Sequence, residues 1–166
     1  MEAKSHGSGK GSVFTLWLPI AQPPEIGPTV PAAPVAASTD VLVVDDNRDS
    51  ADSMTLLVDM LGHKASPAYD GPHAFALYDQ VLPQVVLLDL SMPGMTSFDV
   101  IRYLRDRQSE RGEAGGRRII VAAMTGLGSD EDMASTRAAG FDAHLVKPVE
   151  LAELGRVLAM AARKDT

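Results

Sequence analysis

Val85-Val86-Leu87-Leu88-Asp89-Leu90-Ser91-Met92-Pro93-Gly94 is the stretch that decides the fold. Four apolar residues in a row, two of them β-branched, read as a strand buried on both faces of a parallel sheet. One carboxylate ends the run, and Met92-Pro93-Gly94 then turns the chain out of the sheet. Open parallel α/β sheets bind ligands just beyond the carboxyl ends of their strands, and Asp89 stands at such an end. A lone Asp after a strand is ordinarily a cap or turn residue. The neighbouring runs change that reading, because they too end in reactive groups.

From Asp40 onward the chain alternates strand and helix patterns. Val41 to Val44 is a buried strand ending in Asp45-Asp46-Asn47, and a helix over about 49–61 follows, with Met54, Leu57, Val58 and Leu61 at helical spacing and Gly62 as its stop. Lys64 to Ala68 reads as a weak second strand and Pro72 to Gln80 as a short helix. Beyond the decisive stretch, a helix near 97–106 carries Phe98, Ile101, Tyr103 and Leu104, and Arg107 to Arg117 reads as a polar loop. Ile119 to Met124 is a fourth strand ending at Thr125-Gly126, and Ser129 to Asp132 open another helix that Gly140 stops. Asp142 to Val146 is a fifth strand ending at Lys147-Pro148, and a last helix runs from about Val149 to Ala162. Five such units imply a doubly wound five-stranded parallel sheet with right-handed crossovers.

Composition narrows the function classes. The formal net charge of −7 argues against a general nucleic-acid or anionic-membrane binder, since both want a basic face. No run approaches the roughly 18 apolar residues of a membrane span, and no signal peptide is visible. The absence of cysteine excludes disulfide and thiol chemistry and fits a cytoplasmic location, and four scattered histidines show no zinc-ligand spacing.

In one sheet the ends of strands one, three, four and five lie side by side. Asp45, Asp46 and Asp89, the Thr125 hydroxyl and the Lys147 ammonium would then share one pocket. Three crowded carboxylates raise one another's pKa unless a cation holds them. A hard divalent ion with oxygen ligands does so, and magnesium suits few protein ligands plus waters. A phosphoryl group between the metal, Lys147 and Thr125 would have its oxygens neutralised and hydrogen-bonded, leaving Asp89 as nucleophile for an aspartyl phosphate. Taken singly, the Asp pair reads as a capping cluster, Thr125 as a turn residue and Lys147 as a solvated charge. Their recurrence at consecutive strand ends favours the shared site.

These motifs, Val44-Asp45-Asp46-Asn47, Leu88-Asp89-Leu90-Ser91-Met92-Pro93-Gly94, Met124-Thr125-Gly126 and Val146-Lys147-Pro148, resemble the receiver domain of bacterial two-component response regulators over about residues 40–164. The resemblance implies the flavodoxin-like strand order 2-1-3-4-5. It implies Asp89 as phosphoacceptor, Asp46 as a direct magnesium ligand, Asp45 acting partly through water and the Ser91 carbonyl completing the protein ligands. Thr125 would be the switch hydroxyl and Lys147 the phosphate-binding cation, with a cis Lys147-Pro148 bond. One departure is His144, which stands three residues before the lysine where the family usually carries Tyr or Phe. It reads either as the rotating partner of Thr125, able to sense pH, or as a surface-facing strand residue.

Residues 1–39 differ in kind. Gly9-Lys10-Gly11 is no P-loop, since Lys4 occupies the position of the required first glycine and no Ser or Thr follows Lys10. Gly7 to Ser12 reads as a turn-forming segment, Val13 to Leu18 as a strand, and the proline-rich residues that follow as a semi-rigid linker. Glu2 to Pro19 resembles the end of a histidine-kinase ATPase domain, without the dimerisation helix or nucleotide site. The expected organisation is therefore 1–19 kinase remnant, 20–38 linker and 39–166 receiver, as in a hybrid sensor kinase reduced to its attached receiver. Such a chain would catalyse at most its own phosphorylation and dephosphorylation. Its expected partners are a histidine kinase or a histidine phosphotransfer protein. Taken out of its sheet, Val13 to Leu18 would either self-associate or share in disorder of residues 1–38. Rival readings are a stand-alone single-domain regulator and an aspartate-nucleophile phosphohydrolase. The hydrolase reading needs an acid two residues after the nucleophile, where Ser91 stands. With the sequence read as ending at Thr166 without an output domain, direct transcriptional action is not expected.

Overall fold

A computed structural model describes residues 2–5, 7, 9–17, 38–92, 96–112, 118–126 and 130–162. The linker read at 20–38 and the Pro93-Gly94 turn lie almost wholly outside these residues. The chain divides into two units, 1–32 and 33–166.

The first unit is a two-stranded antiparallel sheet of β1 (Glu2–Ser5) and β2 (Ser12–Thr15), with Glu2 opposite Thr15 and Ser5 opposite Ser12. Gly7, Gly9 and Gly11 all take positive φ in the connection, a conformation that glycine adopts without a Cβ clash. The strand expected over Val13–Leu18 is thus shorter, starts one residue earlier and is not left without a partner, because Glu2–Ser5 pairs with it. Val13, Phe14, Leu16 and Trp17 remain 60–78% exposed.

The second unit is the doubly wound sheet. Its parallel strands are β3 (Asp40–Val44), β4 (Lys64–Ala68), β5 (Val85–Asp89), β6 (Ile120–Thr125) and β7 (Ala143–Val146), in the order β4-β3-β5-β6-β7. This is the expected 2-1-3-4-5. Side chains alternate across the sheet, so the continuous apolar runs feed two cores. Val41, Val43, Val85 and Leu87 face α1 (Arg48–Met60) and α5 (Leu151–Ala162), which contribute Val58, Leu154 and Leu158. Leu42, Val44, Val86 and Leu88 face α2 (Gly71–Val81) and α3 (Ser97–Gly112), which contribute Tyr78, Ile101 and Leu104. Pro67 is tolerated in β4 because that strand is an edge. Among the described residues no helix is long and apolar enough to cross a membrane.

Helix starts follow local chemistry. The Asn47 side chain accepts the Ser50 N–H at 3.1 Å and so caps α1, and Asp70 does the same for His73 N–H at 2.7 Å at the start of α2. Gly62, at φ +87°, closes α1 as its position implies, although Leu61 is 40% exposed rather than a core residue. A further helix, α4, spans Asp130–Ala138.

Helix α3 runs to Gly112, where a loop from Arg107 was expected. Its charges have partners that sequence periodicity does not show. Arg107 donates to Tyr103 Oη at 3.1 Å and pairs with Asp79 of α2 and Glu110 at 3.2 Å each. Arg105 donates to the Gly140 and Ile119 carbonyls and pairs with Asp142 at 2.6 Å. Polarity here marks a docked helix face, not a loop.

Candidate functional site

The sheet winds outward in both directions from the β3–β5 boundary, and the crevice at its carboxyl end is where such folds bind ligands. Register aligns the strand ends there: Val44 opposes Leu88, Asp89 opposes Met124 and Thr125 opposes Val146. The next residues out are Asp45, Leu90, Gly126 and Lys147.

Asp45, Asp46 and Asp89 come together, each with a carboxylate oxygen within 4.8 Å of the others. Asp45 and Asp89 are buried, at 1% and 4% exposure, while Asp46 is exposed. Lys147 Nζ lies 2.7 Å from Asp45 and 3.0 Å from Asp89, so the ammonium bridges the two buried acids. Burial works against its charge, yet the hydrogen bonds to Asp45 and Asp89 outweigh that penalty and hold its pKa above the ordinary lysine value. The Lys147 N–H donates to the Thr125 carbonyl at 2.7 Å, and the Lys147-Pro148 bond is cis as expected.

Two further groups hold Asp45. The Ser50 hydroxyl donates to it at 2.7 Å and the Asn47 N–H at 3.0 Å. Sequence spacing shows neither contact. A third overlooked contact is from Ser97, whose hydroxyl donates to the main-chain carbonyl of Asp89 at 2.7 Å. Thr125 is buried and lines a cavity of about 340 Å³ with Leu90, Met92, Ser97, Phe98 and Thr136 among its walls. Ser91 follows Leu90 on the exposed rim of the site.

His144 is not beside the carboxylates. From β7, opposite Ala123, its Nδ1 lies 3.4 Å from Thr136 Oγ1 of α4, and its Nε2 is buried without a hydrogen-bond partner among the described residues. It is half-buried and directed at α4, not a free surface residue. Thr136 in turn shares the cavity wall with Thr125.

The arrangement is a set of hard oxygen donors around a buried acid, backed by one ammonium and one hydroxyl. It suits a small divalent cation and a phosphoryl group. The family model of the response regulator receiver domain matches residues 41–159. This chain belongs to that family. Among curated relatives, the sensory transduction protein RegX3 of Mycobacterium tuberculosis is 34% identical over 126 residues, covering 75% of this chain and 52% of RegX3. The chain thus spans about half the length of that relative. The virulence sensor protein BvgS of Bordetella bronchiseptica is 30% identical over 144 residues, covering 87% of this chain but 12% of BvgS. Among solved structures, the chemotaxis response regulator CheY4 of Vibrio cholerae superposes with a TM-score of 0.64 at 26% identity, covering 75% of this chain and 98% of CheY4. The receiver of this chain is accordingly a signal-transduction module of two-component systems, with the flavodoxin-like fold that its strand order implies.

Proposed function

We propose that this receiver takes a phosphoryl group from a phosphohistidine onto Asp89. The observation that carries the reading is the buried Asp89 carboxylate, within 4.8 Å of two further acids and 3.0 Å from Lys147. One Asp89 oxygen attacks phosphorus in line, the N–P bond breaks and the imidazole leaves. Asp45, Asp46, Asp89 and the Ser91 carbonyl would hold a magnesium ion, which neutralises charge on the transferring oxygens. Asp45, already fixed by Ser50 and Asn47, acts partly through water, whereas the exposed Asp46 is a direct ligand. Lys147 neutralises the phosphoryl oxygens from the other side and Thr125 Oγ1 hydrogen-bonds one of them. His144 is the switch partner of Thr125, reached through Thr136 and their common cavity.

The donor is a histidine kinase or a histidine phosphotransfer protein, in the cytoplasm. A hybrid-kinase origin is supported by the alignment to a sensor protein, which is longer than the receiver segment and so reaches back past residue 39. The RegX3 match favours a second reading, a receiver of a stand-alone regulator. Sequence upstream of Met1 in the native gene separates the two, since a kinase core there supports only the first. Ser91 in place of an acid two residues after Asp89 disfavours a hydrolase.

Incubation with acetyl phosphate and magnesium tests the central claim. One phosphoryl mass should appear on the wild type and none on Asp89→Asn. A persistent adduct on the Asn variant removes Asp89 as the acceptor. We also propose that the exposed Val13, Phe14, Leu16 and Trp17 support self-association, because an isolated two-stranded sheet buries too little to be stable alone. Light scattering should give a larger mass for the full chain than for one beginning at Ser38, and equal monomeric masses would sink the idea.

A further inference from the structure

We propose that Ser97 is a positioning residue for phosphoryl transfer, acting through the main chain of Asp89. This rests on the reading of Asp89 as phosphoacceptor. The Leu90 N–H donates to the Met124 carbonyl at 2.9 Å, on the β6 side of β5. Successive residues of a strand turn their backbone groups to opposite sides, so the Asp89 carbonyl faces the β3 side. There the ladder has already ended, its last pair being Val44 with Leu88. The donor this carbonyl finds is the Ser97 hydroxyl, at 2.7 Å.

The Asp89 carbonyl and the Leu90 N–H belong to one planar peptide unit. That plane is therefore pinned at both ends, by Met124 and by Ser97. Its orientation sets the aim of the Asp89 side chain and the path of the chain to Ser91. Ser97 is itself well held. It is the first residue of α3 and 3% exposed, and the helix start is fixed independently by Thr96, which accepts the Asp99 N–H at 3.2 Å and donates to the Asp99 carboxylate at 2.7 Å. Without the hydroxyl, a buried carbonyl loses its partner and the plane is free to tilt. In-line attack tolerates little of this, since a misplacement of about 1 Å can cost on the order of 100-fold in rate.

The test compares Ser97→Ala, Ser97→Cys and Ser97→Thr in the full chain, using acetyl phosphate and magnesium as probe and intact mass to follow the adduct. Alanine lacks the donor and cysteine keeps the volume with a weak one. Threonine keeps the hydroxyl, and the cavity of about 340 Å³ that Ser97 lines offers space for its methyl group. Alanine and cysteine should phosphorylate about tenfold more slowly at saturating donor and magnesium, with KM for acetyl phosphate little changed. Threonine should restore most of the rate. Should the alanine chain melt early, cysteine against threonine carries the comparison. Wild-type rates for the cysteine variant, or threonine as slow as cysteine at equal melting temperature, overturn the role of Ser97 alone. A wild type that takes no phosphoryl group overturns the reading of Asp89, and the role of Ser97 with it.

Discussion

The receiver sheet carries a charge cluster at each end, and the two are balanced in opposite ways. At the carboxyl end three carboxylates share one ammonium, and Asp46 turns outward to solvent. At the amino end one carboxylate, Asp142, takes two guanidiniums, Arg105 at 2.6 Å and Arg118 at 2.5 Å, and also accepts the Val121 N–H at 3.0 Å. Arg105 spends further donors on the Gly140 and Ile119 carbonyls. The amino-end cluster answers its charges within the chain and ties α3 to β6 and β7. Among the described residues the carboxyl-end cluster keeps an excess of negative charge, three carboxylates to one ammonium. Crowded, incompletely compensated charge in a crevice is the physical signature of a site, and complete compensation is that of a staple.

Substitution should separate the two ends, the largest effect falling on stability at the amino end. Asp142→Ala strands the half-buried Arg105 and the Val121 N–H, and should destabilise the fold by about 3 kcal/mol. Phosphoryl uptake at Asp89 should be unaffected under conditions where the variant is folded. Denaturant melts and intact-mass labelling check the pair of outcomes, and a stable variant with impaired labelling would invert the assignment.

The carboxyl end should respond to cation instead. Magnesium relieves the crowding of Asp45, Asp46 and Asp89, and at tens of Kd or more should stabilise the wild type by about 1–3 kcal/mol through mass action. Asp46→Ala removes the exposed ligand and should lose most of that gain. Asp142→Ala should retain it, relative to its own lower baseline. Thermal melts with and without magnesium decide this, and equal shifts in wild type and Asp46→Ala mean that Asp46 is not a ligand.

The carboxyl end was also the more legible of the two in the sequence. Three buried apolar runs and a shorter fifth strand, each closed by a reactive residue, give strands, sheet direction and the meeting of Asp45, Asp89, Thr125 and Lys147, because a parallel sheet stacks its ends by register. Contacts that depend on a partner distant in sequence were not legible. Arg107 and the residues after it read as a loop because Asp79, its partner, lies on another element, and the reach of Arg105 to Gly140 and Asp142 depends in the same way on distant residues. The hydrogen bonds of Ser97 and Ser50 were hidden for the same reason, since nothing in their spacing points to Asp89 or Asp45. Strand β1 was missed because Glu-Ala-Lys-Ser has no apolar alternation and is defined by its pairing with β2. His144 was readable as a departure, but not its orientation towards Thr136.

The smallest expected effect lies in the pH dependence of the bridging ammonium. Lys147 has its pKa raised in the fold, because its hydrogen bonds to Asp45 and Asp89 outweigh the opposing penalty of burial. A cation whose folded pKa exceeds its unfolded one binds its proton more tightly in the native state. Its contribution to stability is therefore complete below the unfolded value of about 10.4 and declines as pH rises from there through the folded pKa. In magnesium-free buffer the stability difference between wild type and Lys147→Met should be constant from pH 7 to about 9.5, then shift against the wild type as the pH passes about 10.5. Using the difference cancels the tyrosines and other lysines that titrate in the same range. Lys147 is partly solvent-exposed, so the change should amount to no more than about 1 kcal/mol. The amino-end pair gives the contrast, since guanidiniums stay charged throughout this range and Arg118→Met should show no such step. A difference between wild type and Lys147→Met that stays flat to pH 11 would mean that the ammonium gains nothing from its two acids, and that the bridge across the carboxyl end contributes no stability of its own.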